Sequence, residues 1–269
     1  MYSALKKFGA AKSAWRYTTS TAFLETIVNE ESYTQGFSLC DSEELSVVVT
    51  DNLDEYRAWC SEHRTLCTLK SIRPNDLALA SYLDVDLGWK VKPESNHKGY
   101  LRGYKNLVFD RKYLKTACKE SAFSFQTQDP NSTVYLKKGC MSEELLDLPG
   151  TIQAWMDIHE KDFSAPSFSS LVIPMIDYEK PVDLSPMLGA SFTDTDGDCK
   201  YLNEVQAMVS LILDPNGVKA KAEFHAGASK SAPRNIVIDE PFTLWIMRKG
   251  LDFPVVAAYL SYDSWQESH

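Results

Sequence analysis

The sequence predicts a mixed α+β domain, and three observations predict it. Residues 51–64 carry a capped amphipathic helix. Several short runs alternate or stay apolar in the manner of strands. The chain then closes on two apolar strands joined by a turn. The 269 residues include 37 acidic and 28 basic side chains, for a net charge of −9, with 44% apolar and 24% charged residues. That balance excludes a largely disordered chain, a collagen-like fibre and a small disulfide scaffold. It also argues against a nucleic-acid partner, because phosphate contact needs a basic surface or stripe. The length suits one domain over residues 1–269 with a sizeable core.

Residues 2–16 read as a helix with Leu5, Phe8 and Trp15 on one face and Lys6, Lys7, Lys12 and Arg16 elsewhere, a surface helix. Residues 21–29 hold a second short helical patch. Ser46–Thr50 reads as a strand or an approach to a helix. Asn52 then caps a clearer helix, with Glu55 three residues on as the capping-box partner. Leu53, Tyr56, Trp59, Cys60 and His63 mark its buried face.

Pro74-Asn75-Asp76 is a turn. Leu77 to Trp89 reads as one long strand, with Leu83, Val85 and Leu87 alternating against Asp84 and Asp86. The two aspartates share a face, which reads as the solvated side of a sheet. Residues 92–106 read as loop. Short strands follow at Leu107–Phe109, Ala122–Gln126 and Thr133–Leu136. Ser142 is a candidate cap for a short helix carrying Leu145, Leu146 and Leu148. Residues 151–159 fit either period. Ser170–Glu179 reads as a strand that Pro174 confines to an edge or a bulge.

Residues 193–200 form an acidic turn, and Leu202–Leu213 a regular segment. Asp214-Pro-Asn-Gly217 is a turn, after which Val218, Ala220, Ala222 and Phe224 alternate with Lys219, Lys221 and Glu223. The following His-Ala-Gly-Ala-Ser-Lys-Ser-Ala-Pro stretch reads as an exposed loop. Ile236–Met247 and Val255–Tyr262 are apolar at nearly every position, as strands buried on both faces are, and predict a hairpin in the middle of a covered sheet.

Catalytic and metal motifs fail one by one. Asp194-x-Asp196-Gly197-Asp198 begins like a calcium loop, but its glycine comes early and Val205 stands where the bidentate Glu belongs. Ser3-x-x-Lys6 lacks its partner motifs. No phosphate loop, dinucleotide fingerprint, Gly-x-Ser-x-Gly or His-Glu-x-x-His is present. The expectation is no enzyme, no cofactor and no metal. The six cysteines, Cys40, Cys60, Cys67, Cys118, Cys140 and Cys199, form no Cys-x-x-Cys pair. With no leader-like N-terminus and no apolar run long enough to cross a membrane, the expected setting is intracellular and reduced, without membrane contact.

The order of these features resembles a serpin over residues 46–262. Asn235-Ile-Val-Ile-Asp-Glu-Pro-Phe242-Thr-Leu-Trp-Ile-Met-Arg248 resembles the strand after the reactive loop, and Val255–Tyr262 the final strand. Leu171-Val-Ile-Pro174 through Asp183-Leu184 resembles another family strand. Leu77–Trp89 resembles the central strand of the large sheet, ending in Gly-Trp. Asp51–Arg64 resembles the helix across that sheet, and Tyr201–Gly217 the strand leading to the hinge.

The resemblance implies a large, mostly antiparallel sheet, a small barrel-like sheet and peripheral helices, with residues 1–45 a divergent helical region. It places a hinge at Gly217, Val218, Lys219, Ala220, Lys221 and Ala222. Inhibitory members write this hinge Glu-x-Gly-Thr followed by small residues. Here Gly217 is kept, Pro215 and Val218 replace the Glu and Thr, and Lys219, Lys221, Glu223 and Phe224 interrupt the alanines. The chain is also shorter than a full serpin.

Two functions therefore stand. One is a non-inhibitory protein that acts by binding or assembling with other proteins. The other is an inhibitor of a serine or cysteine protease with its reactive bond near Lys230-Ser231, a bait that would suit a trypsin-like enzyme.

Overall fold

The computed structural model describes residues 45–63, 67, 69–83, 85–96, 100–142, 147–182, 188, 191–193, 196–219, 235–251 and 254–268. The expected helices at 2–16 and 21–29 lie outside these residues. The chain divides into two compact units, one built on Met1–Asp84 and Lys180–Val209, the other on Val85–Glu179 and Ser210–His269.

In the first unit, the β-branched run Leu45–Thr50 forms strand β1. It is followed directly by helix α1, Leu53–Glu62. The Asn52 side chain caps α1 as its position predicts, accepting from the Asp54 and Glu55 N–H groups at 2.9 and 3.3 Å. The reciprocal arm of the capping box is not made. Glu55 instead accepts the Thr50 hydroxyl, and Thr50 Oγ1 accepts the Asn52 N–H at 3.0 Å. Thr50 is buried, so its hydroxyl stands between the Asn52 N–H and the Glu55 carboxylate and bonds to both.

Tyr56, Trp59 and Cys60 point from α1 onto Val48 of β1 and onto Ala78 and Ala80 of strand β2, Asp76–Leu83. Leu69 and Ile72 pack against the same cluster. β2 pairs antiparallel with β1 on one side. On the other it pairs in parallel with the long strand β12, Cys199–Leu213, from Tyr201↔Asp76 to Gln206↔Ala80. Strand β11, Ser191–Thr193, hairpins onto the start of β12. The exposed acidic turn between β11 and β12 holds Gly197 at φ +87°, as expected of such a turn.

In the second unit, β3 (Asp86–Gly88), β4 (Glu94–Asn96), β5 (Asn106–Asp110), β6 (Leu114–Ala117), β7 (Ala122–Gln126) and β8 (Ser132–Lys138) follow in order. Helix α2 spans Leu148–His159. Then come β9 (Ser170–Pro174), β10 (Ile176–Val182, whose residues from Lys180 on are counted with the first unit), β13 (Gly217–Lys219), β14 (Asn235–Val237), β15 (Phe242–Arg248) and β16 (Val256–Leu260). A four-stranded sheet runs β14-β9-β5-β4 and a five-stranded sheet β16-β15-β8-β7-β6. The pairings β12–β2 and β14–β9 are parallel, and the other registered pairings are antiparallel. The result is the mixed α+β architecture with mostly antiparallel sheets that the sequence predicts.

Several expectations change. Leu77–Trp89 is not one strand: β2 ends at Leu83 and β3 begins at Asp86, and they pair with different neighbours, β2 with β1 and β12, β3 with β13. Ile236–Met247 likewise splits. β14 joins β9, Asp239-Glu240-Pro241 breaks the run, and β15 joins β8 and β16. The closing hairpin is therefore half central. β15 is buried on both faces between two neighbours, whereas β16 is an edge strand with Tyr259 exposed.

Pro174 sits on an inner strand and not at an edge. It is tolerated as the last residue of β9. The chain steps out of the sheet at Met175, whose N–H donates to the Lys105 carbonyl at 3.0 Å. Residues 92–106 include β4, and β6 is a further strand without a sequence signal. Residues 151–159 resolve as helix, with Ile152 and Met156 buried against Trp245 of β15. Asp147 stands at the N-cap of α2 with Pro149 in its first turn; the short helix expected after Ser142, with Leu145 and Leu146, lies largely outside the described residues.

Candidate functional site: the seated hinge

The hinge segment enters a sheet within the second unit. β13 pairs antiparallel with the end of β12 through Ile212↔Lys219 and Leu213↔Val218. On its other side it pairs antiparallel with β3 through Gly217↔Gly88, Val218↔Leu87 and Lys219↔Asp86. Leu213, Val218 and Leu87 thus stand in one row across three strands, and all three are buried. Lys219 stands in register with Asp86, which is exposed as its alternation predicts.

The turn that delivers β13 is built by Asp214. This buried carboxylate accepts the N–H groups of Asn216 and Gly217 at 2.6 and 3.1 Å, closing an Asx turn. The Asp214 N–H donates to the Gly217 carbonyl at 3.1 Å. A charge-assisted bond of this kind is among the stronger ones available to a buried turn. Pro215, between them, fixes its own φ and so narrows the turn further.

Three outside groups then fasten the turn. Trp89 Nε1 donates to the Asp214 carbonyl at 2.8 Å, and the Trp89 N–H to the Asn216 carbonyl at 3.3 Å. Lys92 Nζ donates to Asn216 Oδ1 at 2.9 Å. The Trp89 ring is itself wedged edge-on against Phe109 at 4.9 Å and tilted against Phe125 at 5.7 Å. A fully packed indole is a rigid donor, so the turn is held at a fixed place.

Gly217 is required by close approach and not by its φ. A Cβ there would lie 2.2 Å from the Leu87 carbonyl oxygen and 3.0 Å from Gly88 Cα. The neighbouring Gly88 is held from the other side, its carbonyl accepting the Gln128 N–H at 2.7 Å.

Of the expected hinge residues, Gly217, Val218 and Lys219 are brought together as β13. Ala220, Lys221 and Ala222, and the bait residues Lys230 and Ser231, lie outside the described residues, as does Phe224. The sequence reading found the Asp-Pro-Asn-Gly turn but missed Asp214, Asn216, Trp89 and Lys92 as its fastenings. The Asp at the first turn position was the available signal; Trp89 and Lys92 are more than a hundred residues away in sequence.

Among the described residues, no group of three or more His, Cys, Asp or Glu comes together as a metal site. No helix among them is long and apolar enough to cross a membrane.

The architecture is that of the serpins. A highly specific serpin of the insect Tenebrio molitor matches with a TM-score of 0.52 and 14% identity, over 96% of this chain and 89% of its own. The thermophilic serpin Tengpin in its native state matches at 0.54 and 12%, over 96% and 85%. Human thyroxine-binding globulin in complex with thyroxine matches at 0.53 and 12%, over 95% and 87%. No protein-family model and no curated protein matches the sequence. The chain therefore has a divergent serpin-like fold.

Proposed function

We infer that this is a non-inhibitory serpin-like protein that acts by binding or assembling with other proteins, and that it is no enzyme. The reading rests on the seated hinge. A trap of this kind works by storing strain and releasing it when a cleaved loop enters the sheet. Here the first three loop residues already occupy a sheet position, held by Asp214, Trp89 and Lys92. Strand pairing of these residues no longer contributes to a later insertion, and the loop left to present is shorter.

Side-chain phase supports the same conclusion. Val218 is buried, so in a continuing strand Ala220, Ala222 and Phe224 would follow it inward. Phe224 would then need room in a packed sheet, which costs about 1–3 kcal/mol for overpacking. Localisation in the reduced interior of a cell belongs to this reading too.

The second reading, an inhibitor of a trypsin-like protease cut at Lys230-Ser231, is favoured by that same phase, which turns the two small residues Ala220 and Ala222 inward. One experiment separates the two. The protein is incubated with a panel of serine and cysteine proteases and resolved on a denaturing gel, and the loop-nicked product is melted. The proposal expects cleavage without a covalent complex and an unchanged melting temperature. A complex that survives boiling, or a large rise in melting temperature after nicking, establishes the inhibitor instead.

A further inference from the structure

Strands β5 and β9 fork at one end, and residues 265–268 fill the fork. Both strands and the filling segment belong to the second unit. The registered ladder between the strands ends at Asn106↔Pro174. One step further, Lys105 and Met175 make only one bond of their pair, the Met175 N–H donating to the Lys105 carbonyl at 3.0 Å. Gln266 takes the place of the reciprocal bond. The Lys105 N–H donates to the Gln266 carbonyl, and the Gln266 N–H to the Met175 carbonyl, each at 2.9 Å. The neighbours of this wedge go to opposite branches. Glu267 bridges Tyr104, and the Ser268 N–H donates to the Gly103 carbonyl at 2.8 Å, whereas Trp265 bridges Ile176.

These bonds run from backbone to backbone, so they accept an extended chain of almost any sequence. One side chain adds a preference. Trp265 is 6% exposed and packs edge-on against Tyr104 at 5.1 Å and tilted against Phe242 at 6.4 Å. Two features make the segment exchangeable. Its indole N–H is buried without an acceptor, so it is held less firmly than its packing allows. Lys105 and Met175 already face each other, so they complete their own pair when Gln266 leaves, and the empty fork strands neither group.

We propose that this fork is a peptide-recognition site, filled intramolecularly by residues 265–268 and open to exchange for an extended segment of a partner protein with the same chemistry, an aromatic residue followed by one with a free N–H. Strand addition supplies the affinity, and contact with Tyr104 and Phe242 selects the aromatic residue. The site stands apart from the hinge, so its failure leaves the test of the proposed function untouched.

The probe is a fluorescent peptide of residues 262–268, added to the full chain and followed by anisotropy. Gln266→Pro in the full chain removes the N–H that donates to Met175 and leaves the fork's own groups in place. This variant is expected to bind the probe saturably and about tenfold more tightly than wild type, in which the tethered segment competes. Probes carrying Trp265→Ala or Gln266→Pro are expected not to bind. The proposal fails if the folded variant binds the probe no better than wild type, or binds the altered probes equally well. Where Gln266→Pro does not fold, wild type decides. An excess of unlabelled, acetylated peptide should speed amide exchange in residues 265–268 of wild type and leave β15 unchanged. Exchange that stays the same in residues 265–268 overturns the proposal.

Discussion

The indole N–H of Trp89 donates to the carbonyl oxygen of Asp214 across 2.8 Å, between residues 125 positions apart in the chain. That bond joins the strand Asp86–Gly88 to the turn that seats the hinge. It makes the position of Gly217–Lys219 a property of the folded core and not of a free loop.

Gly217→Ala tests the seating directly. Its Cβ would fall 2.2 Å from the Leu87 carbonyl oxygen, a backbone atom that has no rotamer to escape through. Either β13 leaves β3 or both strands shift, at a cost of about 1–3 kcal/mol. Amide exchange should accelerate at Val218 and Lys219 and in β3, with helix α1 unaffected.

Asp214→Ala leaves the Asn216 and Gly217 N–H groups without their acceptor in a buried turn, at a cost of about 1–3 kcal/mol. Asp214→Asn keeps one carbonyl oxygen and should lose less. Chemical denaturation of the two variants should rank them in that order. Equal losses would mean that the carboxylate's second oxygen and its charge contribute nothing.

The turn between β7 and β8 sets a pH dependence. Burial raises the Asp129 carboxyl, but the Ser132 hydroxyl, the Asn131 N–H and the Arg248 charge outweigh it and hold the group below its ordinary 3.8. A carboxylate depressed in the folded state stabilises the fold above its unfolded value, and that contribution is lost as pH falls through and below 3.8. Wild type and Asp129→Asn should therefore differ in unfolding midpoint at neutral pH and converge in acid. A constant gap would assign the residue a packing role alone.

Asn52→Ala removes the cap on two N–H groups of α1 and should cost about 1 kcal/mol. Asn52→Asp, whose charge suits the helix N-terminus, should retain most of it. Melting of the two variants distinguishes cap loss from a general effect of substitution at this position.

Local signals were legible where a few adjacent residues decide the outcome. Asn52 caps α1, Tyr56, Trp59 and Cys60 form its buried face, and Asp214-Pro-Asn-Gly makes its turn, because each depends on neighbours within a turn of chain. Residues 151–159 were ambiguous because Ile152, Ala154, Met156 and Ile158 satisfy the strand period while Ile152 and Met156 also satisfy the helical one. The core contact with Trp245 decided between them. β6 carried no signal because Leu114–Ala117 is short, and its pairing comes from β7.

The sequence by itself determined the class of fold, the places where helix α1 and most strands form, and the even-numbered phase that turns Val218 inward. Only the tertiary structure decided where long apolar runs divide. Leu77–Trp89 and Ile236–Met247 look uniform along the chain, yet each splits where its hydrogen-bond partner changes. Strand pairing is satisfied by residues far away in sequence, so the end of a strand is fixed by the neighbour that stops accepting its bonds. The same holds for the hinge: its composition is written locally, but its seat is made by Trp89, Leu87 and Lys92, which fold beside it from the opposite half of the chain.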